Sequence, residues 1–112
     1  MNSKWDDGLF KRFIQLRDAF RAAKREKNYQ LVLSIGQNIL VLDKSASFLQ
    51  IATPIFQKDM AEACTKLGDT TAAINYLLAA RIGFEGLKND KNDWQRDLDA
   101  IDKKLKKLRV CA

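Results

Sequence analysis

Residues 61–80, AEACTKLGDTTAAINYLLAA, are the stretch that decides the fold of this chain. Gly68, Asp69 and Thr70, in the middle of this stretch, end one predicted helix and begin the next. Glycine suits the left-handed residue that ends a helix, and Asp69 or Thr70 can cap the N-terminus of the next one. The stretch therefore predicts two helices joined by a tight turn.

The outer ends of these two helices follow from Pro54 and from two later glycines. Proline fits the first turn of a helix but kinks its interior, so the first helix begins either at Ser47 or at Pro54 and runs to the turn. We expect the second helix over residues 71–84, where Gly83 and Gly86 should end it.

Hydrophobic periodicity predicts three more helices, over residues 8–26, 30–42 and 93–109. Residues 30–42, QLVLSIGQNILVL, are rich in β-branched side chains, but a run of this length favours a buried helix over a strand. The apolar faces consist of Leu9, Phe13, Leu16, Phe20 and Ala23, then Leu31, Ile35, Ile39 and Leu42, then Trp94, Leu98, Ile101, Leu105 and Leu108. Five amphipathic helices joined by short turns predict an all-α fold of about five antiparallel helices.

Composition excludes several classes of function. A chain of 112 residues corresponds to one domain, residues 1–112. It contains no His, which removes Ser-His-Asp and Cys-His catalysis and His-ligated zinc. Cys64 and Cys111 have no metal-binding spacing, so we expect a small buried thiol, a free terminal thiol and a reduced, cytoplasmic protein. No leader or membrane span is apparent, and we expect a non-enzyme without cofactor or metal.

The quoted stretch resembles the middle of a tetratricopeptide repeat (TPR), a helical hairpin of 34 residues. Ala73, Ile74 and Ala80 match the family pattern after the Gly-Asp turn, and Ala61 takes its small position in the first helix. Small residues at these places let two helices approach closely.

A weaker copy precedes it, with residues 27–29 at the turn, and the turn-to-turn spacing is about seven residues longer than the family's. The resemblance implies a degenerate first helix pair (8–42), a TPR-like second pair (47–87) and a C-terminal capping helix (93–109). An unrelated five-helix bundle is the alternative.

The resemblance also implies a binding groove lined by the first helix of each pair. The residues that it turns toward the groove, and that we select as partner-binding, are Ile14, Arg17, Arg21, Lys24 and Arg25, followed by Ile55, Lys58 and Lys66. A helical wheel independently groups the four cations of the first helix on one face. Arginine matches a carboxylate with two hydrogen bonds, which favours an acidic partner. A solvated helix face explains the same run equally well.

Charge is uneven along the chain, which carries +6 overall. Residues 1–30 have a net charge of +4, residues 31–90 of −1 and residues 91–112 of +3. The basic tail, KKLKKLR at 103–109, fits either a nucleic acid or an acidic protein surface, although lysines near a helix C-terminus also complement its dipole. Trp94 is expected to anchor the core, and the last helix could pair with a second copy of itself.

The sequence therefore predicts a protein–protein interaction module, or adaptor, that binds an acidic segment of a partner through a basic helical groove. The alternative is a small basic regulatory protein that associates with nucleic acid.

Overall fold

A computed structural model describes the backbone of residues 6–111 and the side chains of residues 6–109. Within these residues the protein is all-α, with no strand, so the predicted fold class is confirmed. The helices are α1 (Asp7–Arg25), α2 (Tyr29–Ser45), α3 (Thr53–Lys66), α4 (Thr70–Leu87) and α5 (Gln95–Cys111), with a short 3-10 helix at Ser47–Leu49.

Three helices begin at side chains that cap them. Asp6, Asn28 and Asp69 each accept a hydrogen bond from a backbone amide in the first turn of α1, α2 and α4, at 2.8, 3.3 and 3.0 Å. Such caps satisfy amides that have no partner within the helix. The capping role predicted for Asp69 is confirmed.

The turns between α1 and α2 and between α3 and α4 have the same hydrogen bonds. Lys27 and Gly68 adopt left-handed conformations, with φ of 57° and 84°. In each turn the amide of this residue donates to the carbonyl three residues earlier, and the next amide donates to the carbonyl five residues earlier, at 2.9–3.1 Å. Lys27 therefore takes the place of the glycine, which is the alignment that the sequence predicts.

The structure decides between the two predicted starts of α3 in favour of Pro54, and it corrects the predicted end of α4. The 3-10 helix precedes α3, and Pro54 is the second residue of α3, where its missing amide proton costs nothing. Gly83 and Gly86 do not end α4, which continues to Leu87. A Cβ at Gly83 would collide with the Pro54 ring, so this glycine serves a close approach of α3 to α4.

The chain divides into two compact units, Met1–Thr53 and Pro54–Ala112. In the first unit α1 packs on α2. Apolar side chains predicted from the periodicity are buried there, namely Leu16, Phe20, Ala23, Ile35, Ile39 and Leu42, together with Val32. The single TPR-like domain over residues 1–112 stays a prediction.

The core of the second unit joins α3, α4 and α5. Its buried residues are Ala61, Leu77, Ala80, Phe84, Leu98, Ile101 and Leu105. Trp94 packs against Phe84 with ring centroids 5.0 Å apart, so the expected core role of this tryptophan is confirmed. The apolar stripe of α5 is thus buried against its own unit.

Cys64 is buried, as expected, whereas the side chain of Cys111 lies outside the described residues. None of the described helices combines the length and the apolar character that crossing a membrane requires.

Candidate binding groove

An open groove of about 490 Å³ lies in the second unit, between α3, α4 and α5. Its floor is aliphatic and consists of Ala61, Leu77 and Leu108. Its rims are polar and consist of Glu62, Thr65 and Lys66 from α3, and of Lys104 and Lys107 from α5. Its volume lies in the range of about 300–1,000 Å³ that is usual for ligand sites.

Two residues of the floor also belong to the core of the second unit. Ala61 and Leu77 are both almost fully buried and belong to the same core cluster. The alanine that the sequence identifies as a packing residue therefore also lines the groove.

Three lysines face this groove without a neutralising partner. Lys66, Lys104 and Lys107 are exposed, and none of them forms an ion pair with any residue in the described part of the chain. Glu62 is the one acidic residue of the lining. The groove consequently combines an apolar floor with a net positive rim.

Two ion pairs hold α5 in the position that places its lysines. The ammonium of Lys58 on α3 donates to Asp97 at 2.7 Å, and both side chains are half-buried. The guanidinium of Arg81 on α4 donates to both carboxylate oxygens of Asp102, at 2.8 and 3.3 Å. These hydrogen bonds from Arg81 hold the pKa of Asp102 below its ordinary value. The two ion pairs help fix α5 against α3 and against α4.

The five residues predicted on α1 belong to the first unit. Arg21, Lys24 and Arg25 are exposed, whereas Ile14 and Arg17 are half-buried. Arg17 lies 3.2 Å from the carboxylate of Asp18. Arg21 and Arg25 have no ion pair with another described residue. The five residues share one helix face, as the helical wheel indicates.

The three residues predicted on α3 have different surroundings. Lys66 lines the groove, whereas Ile55 is exposed near the start of the helix and is not part of the lining. Lys58 is bound to Asp97 and is therefore not a free cation. Of the predicted residues of the second unit, only Lys66 is placed to meet a ligand in this groove.

Sequence reasoning overlooked Lys104 and Lys107 as groove residues. They are three residues apart and flank Leu105 and Leu108 of the apolar stripe, so a helical wheel places them at the edge of the face that α5 buries. That position was the available signal. The basic run was instead interpreted as a surface for a nucleic acid or an acidic protein, or as a complement of the helix dipole.

The groove offers positive charge and apolar surface, and its lining contains neither Ser nor Cys. Among the described residues, no cluster of three or more Cys, Asp or Glu side chains is arranged to hold a metal ion. Compared with known proteins, the chain matches no protein-family model, no curated protein and no solved structure.

Proposed function

We propose that the chain is a non-enzymatic protein-binding module, an adaptor of TPR-like architecture that takes up an acidic segment of a partner protein. The groove of the second unit carries this proposal. Its aliphatic floor accepts apolar side chains, and its three unpaired lysines attract carboxylates. A segment that offers both kinds of group fits this surface.

Two helical hairpins with equivalent turns support the TPR-like part of the proposal. Lys27 and Gly68 occupy the same place in turns with the same hydrogen bonds, 41 residues apart. The small residues Ala61, Ala73 and Ala80 are all buried, as the packing of such hairpins requires.

The floor of the groove favours a peptide over a single-stranded nucleic acid. Single-stranded nucleic acids bind largely through bases that stack on aromatic side chains, and the lining of the groove contains no aromatic residue. An apolar side chain of a peptide gains about 25 cal/mol per Å² of apolar area removed from water, and the half-buried Leu108 provides accessible apolar surface for it.

The first unit has its own basic surface, the exposed face of α1, which would also attract an acidic partner. Arg21 and Arg25 are exposed and unpaired among the described residues, and Phe10 on the same face is 40% exposed. Exposed cations of this kind raise the rate of encounter with an acidic partner more than they raise affinity.

The test is fluorescence anisotropy with a short labelled peptide that carries a central Leu flanked by Asp and Glu. Reversing the three groove lysines, in Lys66→Glu/Lys104→Glu/Lys107→Glu, should weaken binding at least about tenfold, because each rim charge changes from attraction to repulsion. The matched control, Lys91→Glu/Lys103→Glu/Lys106→Glu, changes the net charge equally outside the lining and should bind nearly as well as the wild type.

Equal weakening by the two triple variants would show that net charge alone attracts the peptide and would overturn the proposal. A labelled RNA or DNA strand is the second probe. Tighter binding of that strand than of the peptide, with a steep dependence on salt, would favour the nucleic-acid alternative instead. Circular dichroism of each variant verifies that the helices are retained.

A further inference from the structure

The two rims of the groove differ in charge. On the α5 rim, Lys104 and Lys107 are three residues apart and have no acidic residue between them. On the α3 rim, Glu62 and Lys66 are four residues apart and form no ion pair with each other, so this rim has one acidic and one basic position. The hydroxyl of Thr65, between them, donates to the carbonyl of Ala61 at 3.0 Å. The α5 rim is therefore cationic, and the α3 rim is nearly neutral.

The acidic residues of α5 do not neutralise its lysines. Asp97 and Asp102 are held by Lys58 and Arg81 on the neighbouring helices. Asp99 accepts a hydrogen bond from the side chain of Gln95 at 2.7 Å. None of the three carboxylates lies three or four residues from Lys104 or Lys107, the spacing at which side chains of one helix meet, so the α5 rim keeps its positive charge.

The floor lies between these unequal rims. Leu77 is 1% exposed and Ala61 2%, so they form the fixed bottom of the groove, and Leu108 lies half-buried beside the α5 lysines. An apolar side chain seated there has the cationic rim on one side and Glu62 on the other. A ligand therefore meets a different charge at each edge.

Resting on the function proposed above, we propose that the partner segment has three distinct sides. It seats a bulky apolar side chain over Leu77, places its acidic residues along the Lys104 and Lys107 rim, and presents a neutral or basic residue to Glu62. The groove thus selects both the composition of the segment and the direction in which it lies.

The experiment compares short labelled peptides of the same length by fluorescence anisotropy. The parent peptide has a central Leu, acidic residues at helical spacing on one edge and Lys on the other edge. Replacing the central Leu by Gly should weaken binding about tenfold or more, because the apolar contact with the floor is lost.

Charge reversal on the α3 rim tests the direction. The wild type should bind the parent peptide about threefold more tightly than a version with Glu in place of the edge Lys, a ratio typical of exposed charge pairs. In Glu62→Lys this preference should reverse, whereas Asp90→Lys, a control at an exposed residue outside the lining, should keep the wild-type preference.

The outcomes separate the two proposals. If all peptides bind the wild type equally and Glu62→Lys does not change their order, the three-sided segment is wrong, and the function proposed above stands. If no acidic peptide binds the wild type, both proposals are wrong.

Discussion

The substitution Gly83→Ala tests the close approach of α3 to α4. A Cβ at position 83 would lie 3.1 Å from Cβ and 3.3 Å from Cδ of Pro54, and closer still to its Cγ. Carbon atoms normally approach to about 3.5–4.0 Å, so the helices must shift to accommodate the methyl group. Gly86, in the same helix, has no atom within 4 Å of the corresponding position and provides the matched control.

The expected magnitude is the difference between two opposing effects. Alanine stabilises a helix interior by about 0.5–1 kcal/mol relative to glycine, and an extra methyl group in a packed contact costs about 1–3 kcal/mol. We therefore expect Gly83→Ala to lower the free energy of unfolding by about 0.5–2 kcal/mol. Gly86→Ala should raise it by up to about 1 kcal/mol.

Urea denaturation measures both values. In a Trp5→Phe background Trp94 is the sole tryptophan of the chain, and its contact with Phe84 makes its fluorescence report on the second unit. Replacing Pro54 by Ala together with Gly83→Ala removes the ring and should recover much of the lost stability. A Gly83→Ala protein as stable as Gly86→Ala would refute the close approach as the reason for this glycine.

Two further predictions concern titratable groups. The Arg81 hydrogen bonds lower the pKa of Asp102, so the Asp102 carboxylate stabilises the fold above its unfolded pKa, and this stabilisation is lost as the pH falls through the folded pKa. The variant Arg81→Met should raise the midpoint of the Asp102 carboxyl titration followed by NMR. An unchanged midpoint would contradict the assignment. Burial, with a smaller contribution from the charge of Asp69, raises the pKa of the Cys64 thiol. In a Cys111→Ser background, Cys64 should therefore react with a disulfide reagent only at the rate at which the protein opens. Fast reaction in the folded state would show that this thiol is accessible.

Local patterns predicted the helices because their causes are local. The periodicity of residues 30–42 indicated a helix despite the β-branched residues, and α2 spans this segment. The turn at Gly68 and Asp69 was equally predictable, since a left-handed residue followed by a capping side chain is a property of a few consecutive residues.

The end of α4 could not be predicted in the same way. Gly83 and Gly86 have similar sequence contexts, and glycine in a helical pattern normally weakens or ends the helix. Only the position of Pro54, distant in sequence, shows that Gly83 serves contact between helices. The meaning of a glycine thus depends on a tertiary neighbour that its own segment does not specify.

In the candidate site, the partners of the charged residues likewise could not be predicted from the local sequence. The sequence predicts Lys58 as one of the cations of the binding groove, but Asp97, 39 residues away, binds it. Conversely, Lys66 and Lys104 are far apart in the sequence, and the fold brings them to one groove. Because the residues are far apart in the sequence, neither the ion pair that neutralises Lys58 nor the cluster of lysines in the groove could be predicted.

The position of the α5 lysines bears on why they are present. Interaction with a helix dipole is strong only within the last turn, and in α5 the basic residue of that turn is Arg109. Lys66 lies in the last turn of α3, so the dipole accounts for it. Lys104 and Lys107 precede the last turn of α5 and have no ion pair within residues 6–109, so neither the dipole nor an ion pair accounts for them. A carboxylate supplied by a partner would offset their charge, which is why the α5 rim is the part of the groove on which the proposed function most depends.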